Sequence, residues 1–177
     1  MGYRLANFGR RMGRKQIQEM IALGIDPGQT GGLALVSRDT RGKMTVIHAR
    51  MMPIVYPTKK ATLDWIASSK LRAATEGPAL VVIENVHSMP KQGVASSFQF
   101  GRMFGAVEML AQAVPNSKTV YVPPATWKMY YGLGSAKHAS IELATMMFRT
   151  DKFWKLKKHD GIAEAALLAA YGLEKEK

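Results

Sequence analysis

The chain has 177 residues, of which 47% are hydrophobic, and this length suits one domain with a buried core but excludes two ordinary domains. Its 25 lysines and arginines outnumber 13 aspartates and glutamates, for a net charge of +12, which favours a polyanionic partner without separating enzymes from ribosomal or membrane-surface proteins. Cysteine is absent and no apolar run is long enough to cross a bilayer, so we expect a soluble protein without disulfides or thiolate metal sites.

Residues 1–20 form a basic N-terminal extension. Its charged residues are Arg4, Arg10, Arg11, Arg14, Lys15 and Glu19. Three interpretations stay open: an arm that folds on DNA, a terminal segment without a role, and an organelle transit peptide, which is typically rich in arginine and poor in acids. We expect the folded domain to cover residues 21–177.

From residue 21 the sequence predicts an α/β domain. Short β-prone runs over 21–25, 32–36 and 44–49 are separated by glycine-rich or polar turns, which indicates three sequential antiparallel strands. A helix is expected over about 58–74. Residues 79–83 are apolar at every position, which is typical of a central strand covered on both faces.

The second half of the chain predicts more helices than strands. Its expected elements are a helix over 96–114, a strand over 120–122, and helices over about 136–148 and 160–171. Pro123 and Pro124 are expected to end the strand. The first of these helices carries Gly101 and Gly105 four residues apart, which indicates a close contact either across a dimer axis or within the domain.

Two carboxylates stand at the ends of predicted strands. Asp26 precedes Pro27 and a glycine-rich turn, and at this position a metal ligand and a simple turn-forming aspartate are both open. Glu84 directly follows five apolar residues. A carboxylate in such a setting is costly to bury unless a cation compensates it, and the alternative is that Glu84 emerges into water.

Asp160 and Glu164 lie four residues apart at the start of the last predicted helix, so they share one face near the end where the helix dipole favours anions. Taken alone, this pair indicates only the usual preference for acidic residues at the N-terminus of a helix. Together with Asp26 and Glu84 it can surround two hard cations about 3.5 to 4 Å apart, the geometry used for in-line displacement at phosphorus. The sequence therefore predicts a metal-dependent enzyme that acts on nucleic acid.

The motifs resemble those of the RuvC family of Holliday junction resolvases, within the RNase H-like superfamily, over about residues 21–173. They are Gly-Ile-Asp-Pro-Gly at 24–28, Val-Ile-Glu-Asn at 82–85 and His-Asp-Gly-Ile-Ala-Glu at 159–164. Residues 157–165, which include the last motif, most resemble phage and plastid members. The resemblance implies an RNase H-like fold, a five-stranded mixed sheet with three antiparallel and then parallel strands, flanked by helices. It also implies a homodimeric endonuclease that resolves four-way DNA junctions by paired nicks, with two Mg²⁺ per active site and Mn²⁺ as a substitute.

The resemblance also assigns roles to individual residues. Its implied catalytic and metal-binding set is Asp26, Glu84, Asp160 and Glu164. Lys128, after Trp127, and Lys137, at the end of a Gly-Leu-Gly-Ser-Ala-Lys run, are implied phosphate contacts near the scissile bond. Lys137 comes one residue earlier than in the bacterial pattern.

Further DNA contacts are expected from His87, Lys157, Lys158 and His159. His87 stands where bacterial members place a stacking aromatic, and Phe98 or Phe100 are alternatives for that contact. Lys157 and Lys158 either steer the phosphate backbone toward the carboxylates or form ordinary solvated surface. For His159 we consider a phosphate contact, proton transfer and no role at all.

Rival functions fit the sequence less well. The run from Asp26 to Thr30 also resembles the first phosphate loop of actin-like ATPases, but those proteins need a duplicated domain. A noncatalytic protein that binds branched DNA remains an alternative, as does a related nuclease for other branched DNA or RNA-containing substrates. We expect no membrane partner and a location in the cytoplasm of a bacterial or phage-infected cell, or in an organelle if the basic extension is a transit peptide.

Overall fold

A computed structural model describes residues 19–28, 30–52, 79–87, 93–112, 114, 116–134 and 138–176. The helix expected over 58–74 and nearly all of the basic extension lie outside these residues. Within the described part of the chain, no helix has the length and apolar character that a membrane span requires.

The sheet has five strands, as the sequence predicts. They are β1 (Met20–Asp26), β2 (Gly32–Arg38), β3 (Met44–Met51), β4 (Ala79–Glu84) and β5 (Ser117–Val122), in the spatial order β3-β2-β1-β4-β5. The β1–β2 and β2–β3 pairs are antiparallel, whereas β1–β4 and β4–β5 are parallel. The mixed sheet inferred from the sequence is therefore confirmed.

The described helices are α1 (Val94–Gln112), α2 (Pro124–Tyr130), α3 (Ala139–Phe148) and α4 (Asp160–Lys175), and a 3₁₀ turn (Lys157–His159) precedes α4. Helix α2 differs from the sequence prediction, which ended the strand at two prolines and placed no helix there. Proline is tolerated in the first turn of a helix, because the N–H groups there lack intrahelical partners. Pro124 therefore starts this helix.

The two faces of the sheet bury different side chains. On β4, Leu80 and Val82 belong to the cluster formed with α3 and α4, whereas Val81 and Ile83 belong to the cluster formed with α1. Since side chains alternate along a strand, Glu84 shares the α4 side of the sheet with Val82.

Helix α4 approaches the sheet closely because glycines face it. A Cβ atom at Gly24 would collide with the backbone of Ala165 and Ala169, and one at Gly161 would collide with Thr30 and Gly31. The backbones of Gly31 and Gly161 also form a parallel bridge. These contacts hold the first turn of α4 beside the β1–β2 turn, where β1 delivers Asp26.

Candidate active site at the strand ends

Asp26 and Glu84 end neighbouring parallel strands. Ile25 pairs with Ile83, so the two carboxylates that follow lie next to each other at one edge of the sheet. Parallel strands present their carboxyl ends at the same edge. The adjacency expected from the sequence is therefore confirmed.

Asp26 is half-buried, and its Oδ1 accepts a hydrogen bond from the Gly28 N–H at 3.0 Å. Burial raises its pKa to about 7; the Gly28 hydrogen bond opposes this shift, while the charges of Glu84 and Glu164 add to it and Lys128 reduces it. Asp26 therefore lies close enough to both glutamates for their charges to raise its pKa, and the Lys128 charge offsets this effect and that of burial only in part.

Glu84 is only 6% exposed, so the alternative that it emerges into water is wrong. The indole Nε1–H of Trp127 donates a hydrogen bond to its Oε1 at 3.0 Å. Burial raises the pKa of Glu84, against the opposing effects of the Trp127 hydrogen bond and the Lys128 charge, and the charge of Glu164 raises it further. A positive ligand would relieve the cost of keeping this carboxylate ionised.

Glu164 lies in the second turn of α4 and is held by two other helices. Lys128 Nζ, from α2, donates to both of its carboxylate oxygens at 3.0 and 3.1 Å. Ser140 Oγ, from the start of α3, donates to Oε1 at 2.9 Å. The Lys128 ammonium also lies 5.1 Å from the centre of the Trp127 ring, so α2 supplies contacts to both Glu84 and Glu164.

Asp160 is not among the charges that shift the pKa of Asp26 or Glu84. Its side chain is exposed, and its Oδ1 accepts a hydrogen bond from the neighbouring Gly161 N–H at 3.0 Å. Its backbone is nevertheless beside the site, because the adjoining Gly161 contacts the β1–β2 turn. The structure therefore groups Asp26, Glu84 and Glu164 and leaves the Asp160 carboxylate at the rim.

The donor chemistry fits a hard divalent cation. All four candidate ligands are carboxylates, the oxygen donors that Mg²⁺ and Mn²⁺ prefer, and burial disfavours the charge on two of them. In their present positions, however, the described residues contain no group of three or more histidine or acidic side chains that could hold a metal ion. The positive charge at this place is the Lys128 ammonium.

The expected DNA-binding residues differ in their exposure to solvent. Lys157 and Lys158 are exposed on the 3₁₀ turn that leads into α4, and His87 is exposed beyond the end of β4. His159 is half-buried, and none of the described residues offers its buried Nδ1 a hydrogen bond. Lys137 lies outside the described residues. Phe98 is exposed, whereas the Phe100 ring packs against Phe104, with 6.1 Å between centroids.

Sequence reasoning missed the two neutral hydrogen-bond donors of the site. Trp127 was singled out only through its position before Lys128, and the helix that carries both residues was not predicted. Ser140 had no signal in the sequence, because serine at the start of a helix is ordinarily a capping residue. Both donors were hidden because their partners, Glu84 and Glu164, are distant along the chain.

No family model matches the sequence, and no curated protein matches it. Its structure is similar to that of Thermus thermophilus RuvC, with a TM-score of 0.59 and 21% identity over 88% of this chain and 96% of that one. It is also similar to T. thermophilus RuvC in complex with Holliday junction substrate (TM-score 0.58, 18% identity, 88% and 96% covered) and to the yeast mitochondrial Holliday junction resolvase Ydc2 (0.51, 13%, 84% and 75%). The chain therefore has the RNase H-like fold of the RuvC resolvases.

Proposed function

We propose that this chain is a metal-dependent endonuclease that resolves four-way DNA junctions by paired nicks. The observation that carries the proposal is the convergence of Asp26, Glu84, Glu164 and Lys128 at the carboxyl ends of β1 and β4. The fold that holds them is one that T. thermophilus RuvC uses in a complex with a Holliday junction. The net charge of +12 supports a polyanionic substrate.

Asp26, Glu84, Asp160 and Glu164 would hold two Mg²⁺ ions, for which Mn²⁺ can substitute. When bound, such ions supply Lewis acidity and an activated water for displacement at phosphorus. Trp127 orients Glu84, and Ser140 orients Glu164, through the hydrogen bonds described above. The exposed Asp160 side chain can turn toward the site from the first turn of α4, which is already fixed beside it.

The basic side chains would position the sugar-phosphate backbone. Lys128 and Lys137 are proposed to contact phosphates near the scissile bond. Lys157, Lys158 and His159 precede the acidic helix and would attract the backbone toward a centre that otherwise repels it. His87 is proposed to contact DNA at the point where the duplex arms separate.

A homodimer is proposed because paired nicks need two active sites and, within the described part of the chain, α1 presents an exposed apolar stripe. Val94 (89% exposed), Phe98 (64%) and Met109 (66%) lie on one face of this helix with Gly101 and Gly105. Among the described residues, nothing lies within 4 Å of a Cβ built at either glycine. The described residues therefore make no close contact with these glycines within the domain. We propose that α1 of a second copy packs on this stripe.

The dimer is tested by mass measurement in solution. Phe98→Asp places a charge in the middle of the stripe and should convert the dimer to monomer, as seen by light scattering coupled to gel filtration. Met146→Asp is the control, since Met146 is an equally exposed residue of α3. A monomeric wild-type chain, or a Phe98→Asp dimer as stable as wild type, would overturn this part of the proposal.

The nuclease function is tested with synthetic four-way, three-way and linear DNA in the presence of Mg²⁺. We expect paired nicks in the four-way junction only, and none from Asp26→Asn or Glu84→Gln. Equal cutting of linear duplex or of an RNA-containing branch would favour the broader nuclease alternative. Junction binding without cutting under any divalent ion would favour the noncatalytic one.

The origin of the chain and its location stay predictions. The likeness of residues 157–165 to phage and plastid members, and the basic N-terminal extension ahead of the nuclease domain, favour a phage-infected or bacterial cytoplasm or an organelle. Import of a fluorescent fusion of residues 1–20 into mitochondria or plastids would decide between them.

A further inference from the structure

Lys128 occupies the place where a metal-dependent site needs a cation. We propose that its ammonium is a built-in competitor for the metal, which neutralises the carboxylates in the metal-free protein and must leave Glu164 when divalent ions enter. The inference rests on the proposed metal-dependent function. It adds a second role to a residue that was expected only to contact phosphate.

The Lys128–Glu164 ion pair is less exposed to solvent than the Lys118–Glu176 and Arg41–Asp39 pairs. Its Nζ donates to both carboxylate oxygens, at 3.0 and 3.1 Å, and the two side chains are 34% and 21% exposed. The Lys128 charge also lowers the pKa of Asp26 and of Glu84 against the effect of their burial. One ammonium therefore acts on all three grouped carboxylates.

Three of the roughly four lone-pair positions of the Glu164 carboxylate are already engaged. Oε1 accepts hydrogen bonds from Lys128 and Ser140, and Oε2 accepts one from Lys128. A divalent ion bound to either oxygen would compete for these lone pairs and repel the ammonium at short range. In this arrangement the described residues contain no three-ligand group, although Asp26, Glu84 and Glu164 act on one another electrostatically. This is consistent with Glu164 being held by Lys128 and Ser140 instead.

The displaced ammonium would remain near the reaction. Lys128 lies at the end of the short helix α2, and the adjoining Trp127 is fully buried and bonded to Glu84. The backbone at Lys128 is therefore fixed, and only the flexible part of the lysine side chain can move. An exchange of the ammonium from Glu164 to a phosphate oxygen would couple metal loading to DNA contact.

The inference is tested by metal binding without DNA, so that a phosphate contact cannot contribute. Calorimetric titration with Mn²⁺ compares wild type with Lys128→Met, Lys128→Arg and Lys118→Met. Lys118 is a matched control, because its ammonium also pairs with a glutamate, Glu176, at 2.5 Å. It lies at the start of β5, which is at the opposite end of the sheet from Glu84. The Lys128→Met variant should bind Mn²⁺ at least about tenfold more tightly than wild type, because the substitution removes a nearby positive charge. Lys128→Arg keeps the charge and should not tighten binding, and Lys118→Met should match wild type.

The outcomes separate this inference from the proposed function. If wild type and Lys128→Met bind Mn²⁺ equally, or the variant binds more weakly, the competition is wrong while the metal site stands. If neither binds Mn²⁺, the metal-dependent function fails and the inference fails with it. If the Lys128→Met variant does not fold, the inference can be tested on wild type alone. Acylation of Lys128 relative to Lys118, measured by mass spectrometry, should rise when Mn²⁺ is added, because the ion releases the Lys128 ammonium from Glu164. An unchanged ratio in a protein that binds Mn²⁺ would overturn the inference.

Discussion

Trp127 holds Glu84 in place through a single hydrogen bond, from its indole Nε1–H to Glu84 Oε1 at 3.0 Å. Trp127 is fully buried and Glu84 is 6% exposed, so water does not compete for this contact. The hydrogen bond also lowers the pKa of a carboxyl that burial raises. The Trp127 side chain therefore packs in the core and also favours the ionised form of Glu84, a proposed metal ligand.

Trp127→Phe should preserve most of the packing and remove this hydrogen bond. We expect a loss of about 1 to 3 kcal/mol in the free energy of unfolding and a fall of about 10- to 100-fold in junction nicking, the usual effect of losing a group that orients a metal ligand. Denaturant unfolding and single-turnover cleavage measure the two effects.

Trp154→Phe is the matched control for that variant. Trp154 is also buried, and its Nε1–H donates to Thr145 Oγ1 at 3.0 Å, away from the carboxylates. It should lose similar stability and keep its cleavage rate. Equal losses of cleavage in both variants would show that the Trp127 effect is only a general one on the fold.

Asp26→Asn should stabilise the metal-free protein at pH 8. The pKa of Asp26 is raised from its ordinary 3.8 to about 7, so between these pH values the folded state holds a proton that the unfolded state has lost. Stability from this group is therefore present at low pH and lost as the pH rises toward 7. The expected gain is roughly 1 to 3 kcal/mol at pH 8, after discount for the solvent-facing part of the carboxyl, and it should shrink toward pH 4.

The measurement is thermal unfolding in a chelator across this pH range. Asp39→Asn is a control of opposite sign, because hydrogen bonds from the Lys43 and Arg41 N–H groups lower the pKa of Asp39 in an exposed turn. It should lose stability above about pH 4. A pH-independent difference between Asp26→Asn and wild type would contradict the assignment of the raised pKa.

The sheet and the position of two carboxylates were predictable because they depend on local patterns. Alternation and apolar runs located all five strands, and the run before Glu84 indicated that a carboxylate ended a buried strand. The largest difference is at the start of β5, which begins three residues earlier than predicted, whereas the other strand bounds differ by two residues at most. An edge strand such as β5, with one neighbour in the sheet, tolerates a polar start.

The contacts within the site were not predictable, because they join residues that are distant in sequence. Lys128 and Glu164 are 36 positions apart, and Trp127 and Glu84 are 43 apart. No periodicity in the sequence encodes such pairs. The orientation of Asp160 has a different cause, which is local. Spacing places it on one face of α4 with Glu164, but its side chain accepts a hydrogen bond from the neighbouring Gly161 N–H instead.

Gly161→Ala should separate α4 from the β1–β2 turn. A methyl group there would overlap the Thr30 carbonyl oxygen and Gly31 backbone, which cannot move aside as a flexible side chain can. We expect a loss of about 3 kcal/mol in the free energy of unfolding, and weaker Mn²⁺ binding because Glu164 moves with its helix. Gly93→Ala is the control, since no described atom lies within 4 Å of its added methyl group. A Gly161→Ala protein as stable as Gly93→Ala would contradict the close approach.

Lys157→Ala with Lys158→Ala should weaken junction binding and reduce its dependence on salt. Both lysines are exposed on the turn that leads into α4, so each can neutralise one phosphate and release counterions. The slope of log affinity against log salt should fall by about two. Lys43→Ala with Lys118→Ala removes the same charge from the opposite end of the sheet, where no contact is proposed. If both double variants change the slope equally, the effect reports the net charge of the protein, whereas a change confined to the first pair assigns the backbone contact to the turn beside the carboxylates.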